Sequence, residues 1–266
     1  MYGLGFIGCG NMAEAIISGA VSSGFIEGVD IAVFDIDTAK SKSLKDRFGV
    51  QICDSAEDTV KSTYVTVLAV KPQVFPSVLP QIKEALSVHS TALISIGAGK
   101  TLDYIGGFLN ADTPIVRVMP NINAKVGAAV SAVCRNGNAD EKLFTYAKEL
   151  CASFGEVIEL PEEQFPLFGV IAGCSPAFSF MYIDAMARAA VKNGMSRQNA
   201  LKIAAQAVLG SAKMISESDS HPWELVDSVC SPGGTTIEGV ASLQKDGFEA
   251  AVINAVEASL DKDKKL

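Results

Sequence analysis

The stretch Leu4-Gly5-Phe6-Ile7-Gly8-Cys9-Gly10-Asn11-Met12-Ala13 decides the fold. Apolar, β-forming residues run straight into G-x-G-x-x-A, after which Met12, Ala13, Ile16, Ile17, Ala20 and Val21 recur at helical spacing along one face. A glycine-rich turn between a strand and a helix is the context that gives this pattern meaning. Gly8 permits the tight turn, Gly10 lets the backbone approach a pyrophosphate, and Ala13 allows close packing, while the helix N-terminus offers free N–H groups to an anion. Together with Cys9, Asn11 and Met12 these residues make a candidate dinucleotide-binding turn.

Working outward, short β-rich runs alternate with helical patterns over residues 1–160. Strands are predicted over 4–7, 31–34, 64–70, 92–96 and 115–119, with weaker ones near Val50, Ala129 and Val157. The run 64–70 is apolar almost throughout, as a central strand covered on both faces requires. Asp54 followed by Glu57 reads as a capping box opening a helix. Such alternation specifies an α/β domain, a Rossmann-like parallel sheet with helices on both faces. Near Leu160-Pro161 the pattern changes, and residues 161–266 show helical periodicity alone. The segment Phe178-Ser179-Phe180-Met181-Tyr182-Ile183-Asp184-Ala185-Met186-Ala187 is apolar nearly all round, so the all-helical domain is expected to bury it against a second subunit.

Composition narrows the function. At 266 residues the chain has material for two domains at roughly 150 residues each. A net charge of −8 disfavours nucleic-acid binding, and no uninterrupted apolar run of about 18 residues suggests a membrane span. No basic leader precedes Leu4, which suggests a cytoplasmic protein. The six cysteines form no C-x-x-C pair and are expected to be buried thiols; His89 and His221 are too few for an imidazole metal site and read as surface or capping residues, so no metal is expected.

Further candidate positions fall at strand ends. Asp35, closing the second strand, either accepts hydrogen bonds from an adenosine ribose or is a turn residue, and Lys40 and Lys42 lie close enough in sequence to meet a phosphate instead. Ala69-Val70-Lys71-Pro72 and Gly97-Ala98-Gly99 close the next strands at the carboxyl edge, where open α/β sheets bind ligands. Gly99-Lys100-Thr101 is not a nucleoside-triphosphate loop, because Ile94 stands where its first glycine belongs, and no G-x-S-x-G marks a serine hydrolase. In Cys230-Ser231-Pro232-Gly233-Gly234-Thr235-Thr236, Pro-Gly-Gly ends one helix and exposes the N–H groups of the next. That is either a carboxylate site or a turn with a threonine cap.

These motifs, with Leu68-Ala69-Val70-Lys71-Pro72-Gln73, Arg117-Val118-Met119-Pro120-Asn121 and Gly173-Cys174-Ser175-Pro176-Ala177, resemble the pyrroline-5-carboxylate reductase family along essentially the whole chain. The resemblance implies NADPH or NADH as cofactor and hydride transfer to the cyclic imine 1-pyrroline-5-carboxylate, giving proline. It implies a homodimer formed through the C-terminal helices, often assembling further, with active sites drawing on both subunits. It places the substrate-facing hydroxyl at Thr236 and carboxylate-binding N–H groups around Gly234, Thr235 and Thr236. It also places an acidic residue near the substrate at Glu162, and cofactor contacts at Gly8, Cys9, Gly10, Asn11, Met12, Ala69, Val70, Lys71, Pro72, Gly97, Ala98 and Gly99. Asp35 stands where many relatives carry small or hydroxyl residues, which opens the family's frequent NADPH preference to question. A hydroxy-acid oxidoreductase would share the first domain but not 231–236; a non-enzymatic dinucleotide sensor would not need Thr236.

Overall fold

Apolar, β-branched runs alternate with capped helices through the first part of the chain, and the computed structural model, which describes residues 1–264, follows that alternation closely. β1 (Tyr2–Ile7) leads through the glycine turn into α1 (Asn11–Ser22). Then come β2 (Ile31–Phe34), α2 (Thr38–Phe48), β3 (Gln51–Ile52), α3 (Ala56–Ser62) and β4 (Thr63–Leu68). α4 (Phe75–His89), β5 (Ala92–Ser95), α5 (Leu102–Gly106), β6 (Ile115–Met119) and β7 (Ala129–Arg135) follow, and α6 (Glu141–Ala152), β8 (Gly155–Glu159) and α7 (Phe165–Phe168) complete the series. α1 buries Ala13, Ile16, Ile17 and Ala20, the stripe read from the sequence, and each isoleucine contributes about 1.5–3 kcal/mol by leaving water.

The strands form one sheet in the order β3-β2-β1-β4-β5-β6-β7-β8. It departs from the expected all-parallel arrangement at one pairing, since β7 runs antiparallel to β6. Residues 120–128 hold only a 3-10 turn, Ile122–Val126, and so short a link cannot make the crossover that a parallel neighbour needs. The expected cap at Asp54 moves by one residue. Ser55 Oγ accepts the Asp58 N–H at 3.0 Å and donates to the Asp58 carboxylate at 2.7 Å, a register that puts Ala56 and Val60 on the buried face. All six cysteines are free, but only Cys9 and Cys151 are buried; Cys53, Cys134, Cys174 and Cys230 lie at or near element ends and are half-buried. His221 caps a helix through Nδ1, which accepts the Trp223 N–H at 3.2 Å, and His89 is exposed at the end of α4.

The chain divides into two compact units, Met1–Gly173 and a second beginning at Cys174. The division falls beyond the Leu160-Pro161 change in sequence pattern, because the intervening segment is held by the first unit. Phe165 is fully buried, Glu162 pairs with Arg117, and Asn121 Nδ2 donates to the Ala172 carbonyl at 3.0 Å.

The second unit comprises α8 (Ser175–Lys192), α9 (Arg197–Ser216), α10 (Pro222–Val229), α11 (Thr235–Lys245) and α12 (Phe248–Asp263). It buries Pro176, Ala187, Ala200 and Ala204, whereas Phe180 and Met181 are 62% and 72% exposed. Among the described residues one run, Glu162–Lys192, is long and apolar enough to cross a membrane by length and composition. A search for uninterrupted apolar residues misses it, since serines, glycines and Asp184 break the run without making it polar on average. The run is not one regular helix: a 3-10 turn (Glu162–Gln164), α7 and a π-helical turn (Gly169–Cys174) precede α8.

Candidate active site

The chain reverses its direction of travel across the sheet between β1 and β4, and the crevice outside their carboxyl ends is where an open α/β sheet accepts a nucleotide. Gly8 turns there with φ +101°, its N–H donating to the Phe34 carbonyl at 2.7 Å, and a Cβ on it would lie 2.8 Å from the Ala69 carbonyl. Both the left-handed backbone and the close approach exclude a side chain. Gly10 differs. It precedes α1 in extended conformation without a side-chain cap, and an added Cβ meets no atom within 4 Å. Open space over an uncapped helix N-terminus fits a pyrophosphate, so the residues present suit the dinucleotide. Asn11 is exposed and Met12 half-buried at the start of the same helix.

Cys9 enters this turn through its backbone. Its Sγ is buried 3.6 Å from Ser41 Oγ, and burial pushes the thiol up to about 11. Its N–H donates to Asp35 Oδ2 at 2.7 Å, while Asp35 Oδ1 accepts the Asp37 N–H at 2.8 Å. Asp35 is thus both a turn residue and a fixed negative charge beside the glycine turn. Lys40 pairs with Asp37 at 3.6 Å, and Lys42 is exposed.

The other two loops of the crevice edge are linked, because the Ile96 N–H donates to the Leu68 carbonyl at 3.3 Å. Ala69 and Val70 are half-buried, Lys71 is exposed, and Pro72 opens a 3-10 turn. Gly97 is buried, and its missing side chain has a packing cause: a Cβ there would come within 2.4 Å of the Phe75 ring. Ala98 and Gly99 are the exposed part of this loop, Gly99 at φ +70°.

Glu162 lies at the foot of the same loop. Its Oε1 accepts the Leu102 N–H at 2.7 Å and Arg117 Nη1 at 2.8 Å. The Arg117 side chain is 5% exposed on β6, and its guanidinium lies 4.4 Å from the centre of the Phe165 ring. Cys134 stands opposite Arg117 on β7, its thiol pushed up to about 12 by burial and then by the Glu162 charge. Motif reading gave Arg117 no role. A charge in the middle of Ile115-Val116-Arg117-Val118-Met119 was the available signal, because an arginine on a buried strand must be paired.

In the second unit, Gly233 takes φ +66° and Gly234 sits so close to Ser231 that a Cβ would lie 2.4 Å from its Oγ. Gly234 is the N-cap of α11 and no side chain caps that helix, which corrects the threonine-cap alternative. Thr235 and Thr236 form the exposed first turn behind it, leaving N–H groups and two hydroxyls for a ligand.

A sheet crevice of this kind defines a dinucleotide-dependent oxidoreductase, and residues 3–99 match the family model described as "NADP oxidoreductase coenzyme F420-dependent". Residues 162–266 match the model described as "Pyrroline-5-carboxylate reductase dimerisation". The chain is 42% identical over 264 residues to pyrroline-5-carboxylate reductase of Escherichia coli (strain K12), covering 99% of this chain and 97% of the relative. Among solved structures, Plasmodium falciparum pyrroline carboxylate reductase with NADP bound superposes with a TM-score of 0.87 at 32% identity, covering 99% and 97% of the two chains. A pyrroline-5-carboxylate reductase from Coxiella burnetii gives 0.93 at 29% identity, covering 99% and 98%. The chain belongs to the pyrroline-5-carboxylate reductase family.

Proposed function

We propose that the protein reduces 1-pyrroline-5-carboxylate to proline with NADPH or NADH. The observation that carries this reading is similarity along the full chain to reductases of that name, joined to a crevice left open above Gly10. When bound, the reduced nicotinamide supplies the hydride. The imine carbon accepts it, and a ring nitrogen already protonated becomes the amine, so the protein needs no strong acid. That accords with a chain that carries only two histidines.

The backbone from Gly8 to Met12 would hold the pyrophosphate, with residues 69–72 and 98–99 flanking the cofactor. The N–H groups behind Gly234 would hold the substrate carboxylate, and the Thr236 hydroxyl would hydrogen-bond the ring nitrogen. We assign the helical unit beginning at Cys174 to a homodimer interface, supported by the match of residues 162–266 to a dimerisation model and the exposed apolar side chains of α8. Asp35 favours NADH, because its locked carboxylate would repel a 2′-phosphate. Turnover of pyrroline-5-carboxylate with each reduced cofactor tests both points. No turnover with either overturns the reaction, and a kcat/KM higher with NADPH overturns the preference. Asp35→Asn is the informative variant, since it removes the charge while keeping an acceptor for the Cys9 N–H.

A further inference from the structure

We infer that Glu162 is a positioning residue that fixes the cofactor-flanking loop 97–101. The inference rests on the reading of the sheet crevice as the cofactor site. That loop is tethered at both ends. Upstream, the Ile96 N–H is bonded to the Leu68 carbonyl and Gly97 is packed against Phe75. Downstream, the Leu102 N–H reaches Glu162 Oε1 at 2.7 Å. Between these anchors Ala98 and Gly99 stand exposed, with Gly99 in a left-handed conformation that no packing enforces. Thr101 Oγ1 caps α5 by accepting the Tyr104 N–H at 3.1 Å, which ties the loop to its own helix, and the Glu162 bond is what ties that helix start to β6 through Arg117.

Glu162 can hold that N–H because Arg117 holds Glu162. The same Oε1 accepts from Arg117, whose side chain is 5% exposed and clamped against Phe165. A carboxylate shared between a buried guanidinium and a backbone N–H is charge-assisted and has a single favourable orientation. Turning Oε1 away would leave a buried arginine unpaired, which is strongly unfavourable. The pair also joins β6 to the start of the segment that continues into the second unit, so one side chain sets both the loop and that segment's origin.

The test separates this role from plain stability. Removing Glu162 alone risks unfolding, so the charges are removed together. Arg117→Met with Glu162→Gln keeps an acceptor for the Leu102 N–H, and Arg117→Met with Glu162→Met does not. Leu102→Pro is the second route: it deletes the N–H at a first helical position where proline is accommodated, and leaves both charges in place. Fluorescence titration with NADPH and NADH, well below the melting temperature, should show Kd raised roughly three- to tenfold in the Met/Met and Leu102→Pro variants relative to Met/Gln. KM for pyrroline-5-carboxylate should be alike in all three. Equal cofactor Kd in Met/Gln, Met/Met and Leu102→Pro overturns the inference. So does an unmoved cofactor Kd with substrate KM raised in both double variants, which makes Glu162 a substrate contact. Wild-type protein that binds reduced cofactor without reducing pyrroline-5-carboxylate overturns the proposed reaction instead, and leaves the Kd comparison intact.

Discussion

The two units treat their apolar residues differently. In the first, Leu4, Phe6, Ile17, Val67 and Leu93 are wholly enclosed between sheet and helices. In the second, the buried side chains of α8 and α9 are Pro176, Ala187, Ala200 and Ala204, while α10, α11 and α12 bury none. Leu209, Met214 and Ile253 are exposed along with Phe180 and Met181. A sheet covered on both faces completes its own core, whereas a handful of helices with apolar residues on several sides does not. The contrast shows that one sequence can enclose its apolar residues in one region and leave them exposed in another, here the region that matches a dimerisation model.

The strongest way to break that contrast is Met181→Asp. An unpaired carboxylate in an apolar interface carries a penalty of several kcal/mol, so light scattering should show monomers and kcat/KM should fall at least about a hundredfold. A fully active dimer would mean that α8 faces solvent in the assembly. The first unit offers a sharper contrast between two glycines. Gly10→Val should raise cofactor Kd more than about thirtyfold with Tm little changed, because the added atoms enter ligand space only. Gly8→Ala should lower Tm by several degrees, because it forces a left-handed backbone and a clash with Ala69 worth about 1–3 kcal/mol. Binding of Gly10→Val within threefold of wild type would remove the turn from the site.

A smaller effect is expected at Thr236. A hydrogen bond to a charged group is worth about 1.5–3 kcal/mol, so Thr236→Val should lower kcat/KM roughly ten- to a hundredfold while cofactor Kd stays put. Thr235→Val, which keeps the backbone N–H, should lose far less. Equal losses would return 231–236 to a plain helix turn.

The mildest expectation concerns alkaline pH and belongs to the first unit. Burial raises Cys9 to about 11 and Cys134 and Cys151 to about 12, from 9.0 for a free thiol. The unfolded chain releases these protons first, so stability is retained below pH 9 and falls as pH rises from 9 through 11–12. Urea unfolding measured across that window should show the fall, and Cys151→Ala should make it shallower. A slope unchanged by Cys151→Ala would mean that this thiol titrates normally in the folded protein.

Much of this was legible in the residues themselves. Gly8 can be read because a left-handed turn and a close backbone approach leave no substitute, Gly10 because its motif spacing marks a place left open, and the stripe from Ala13 to Ala20 because helical period and burial coincide. All eight strand positions found among the described residues were also anticipated, because β-branched runs are local signals. Cys9 was placed in the cofactor turn by its motif position, which does not tell that its side chain points inward to Ser41. Gly97 was assigned to the cofactor for its place at a strand end, and its constraint comes from Phe75, distant in sequence and adjacent in space.

By itself the sequence determined the alternation of strands and helices, the glycine turn, the change of pattern near Leu160 and the family, because each depends on short-range backbone preference or on motif order. Only the tertiary structure decided that β7 reverses, that Asp35 holds Cys9, and that Arg117, Glu162 and Leu102 share one carboxylate oxygen. Those features depend on which side chains meet across long sequence separations. A buried charge finds its partner by packing, and no spacing along the chain encodes that meeting.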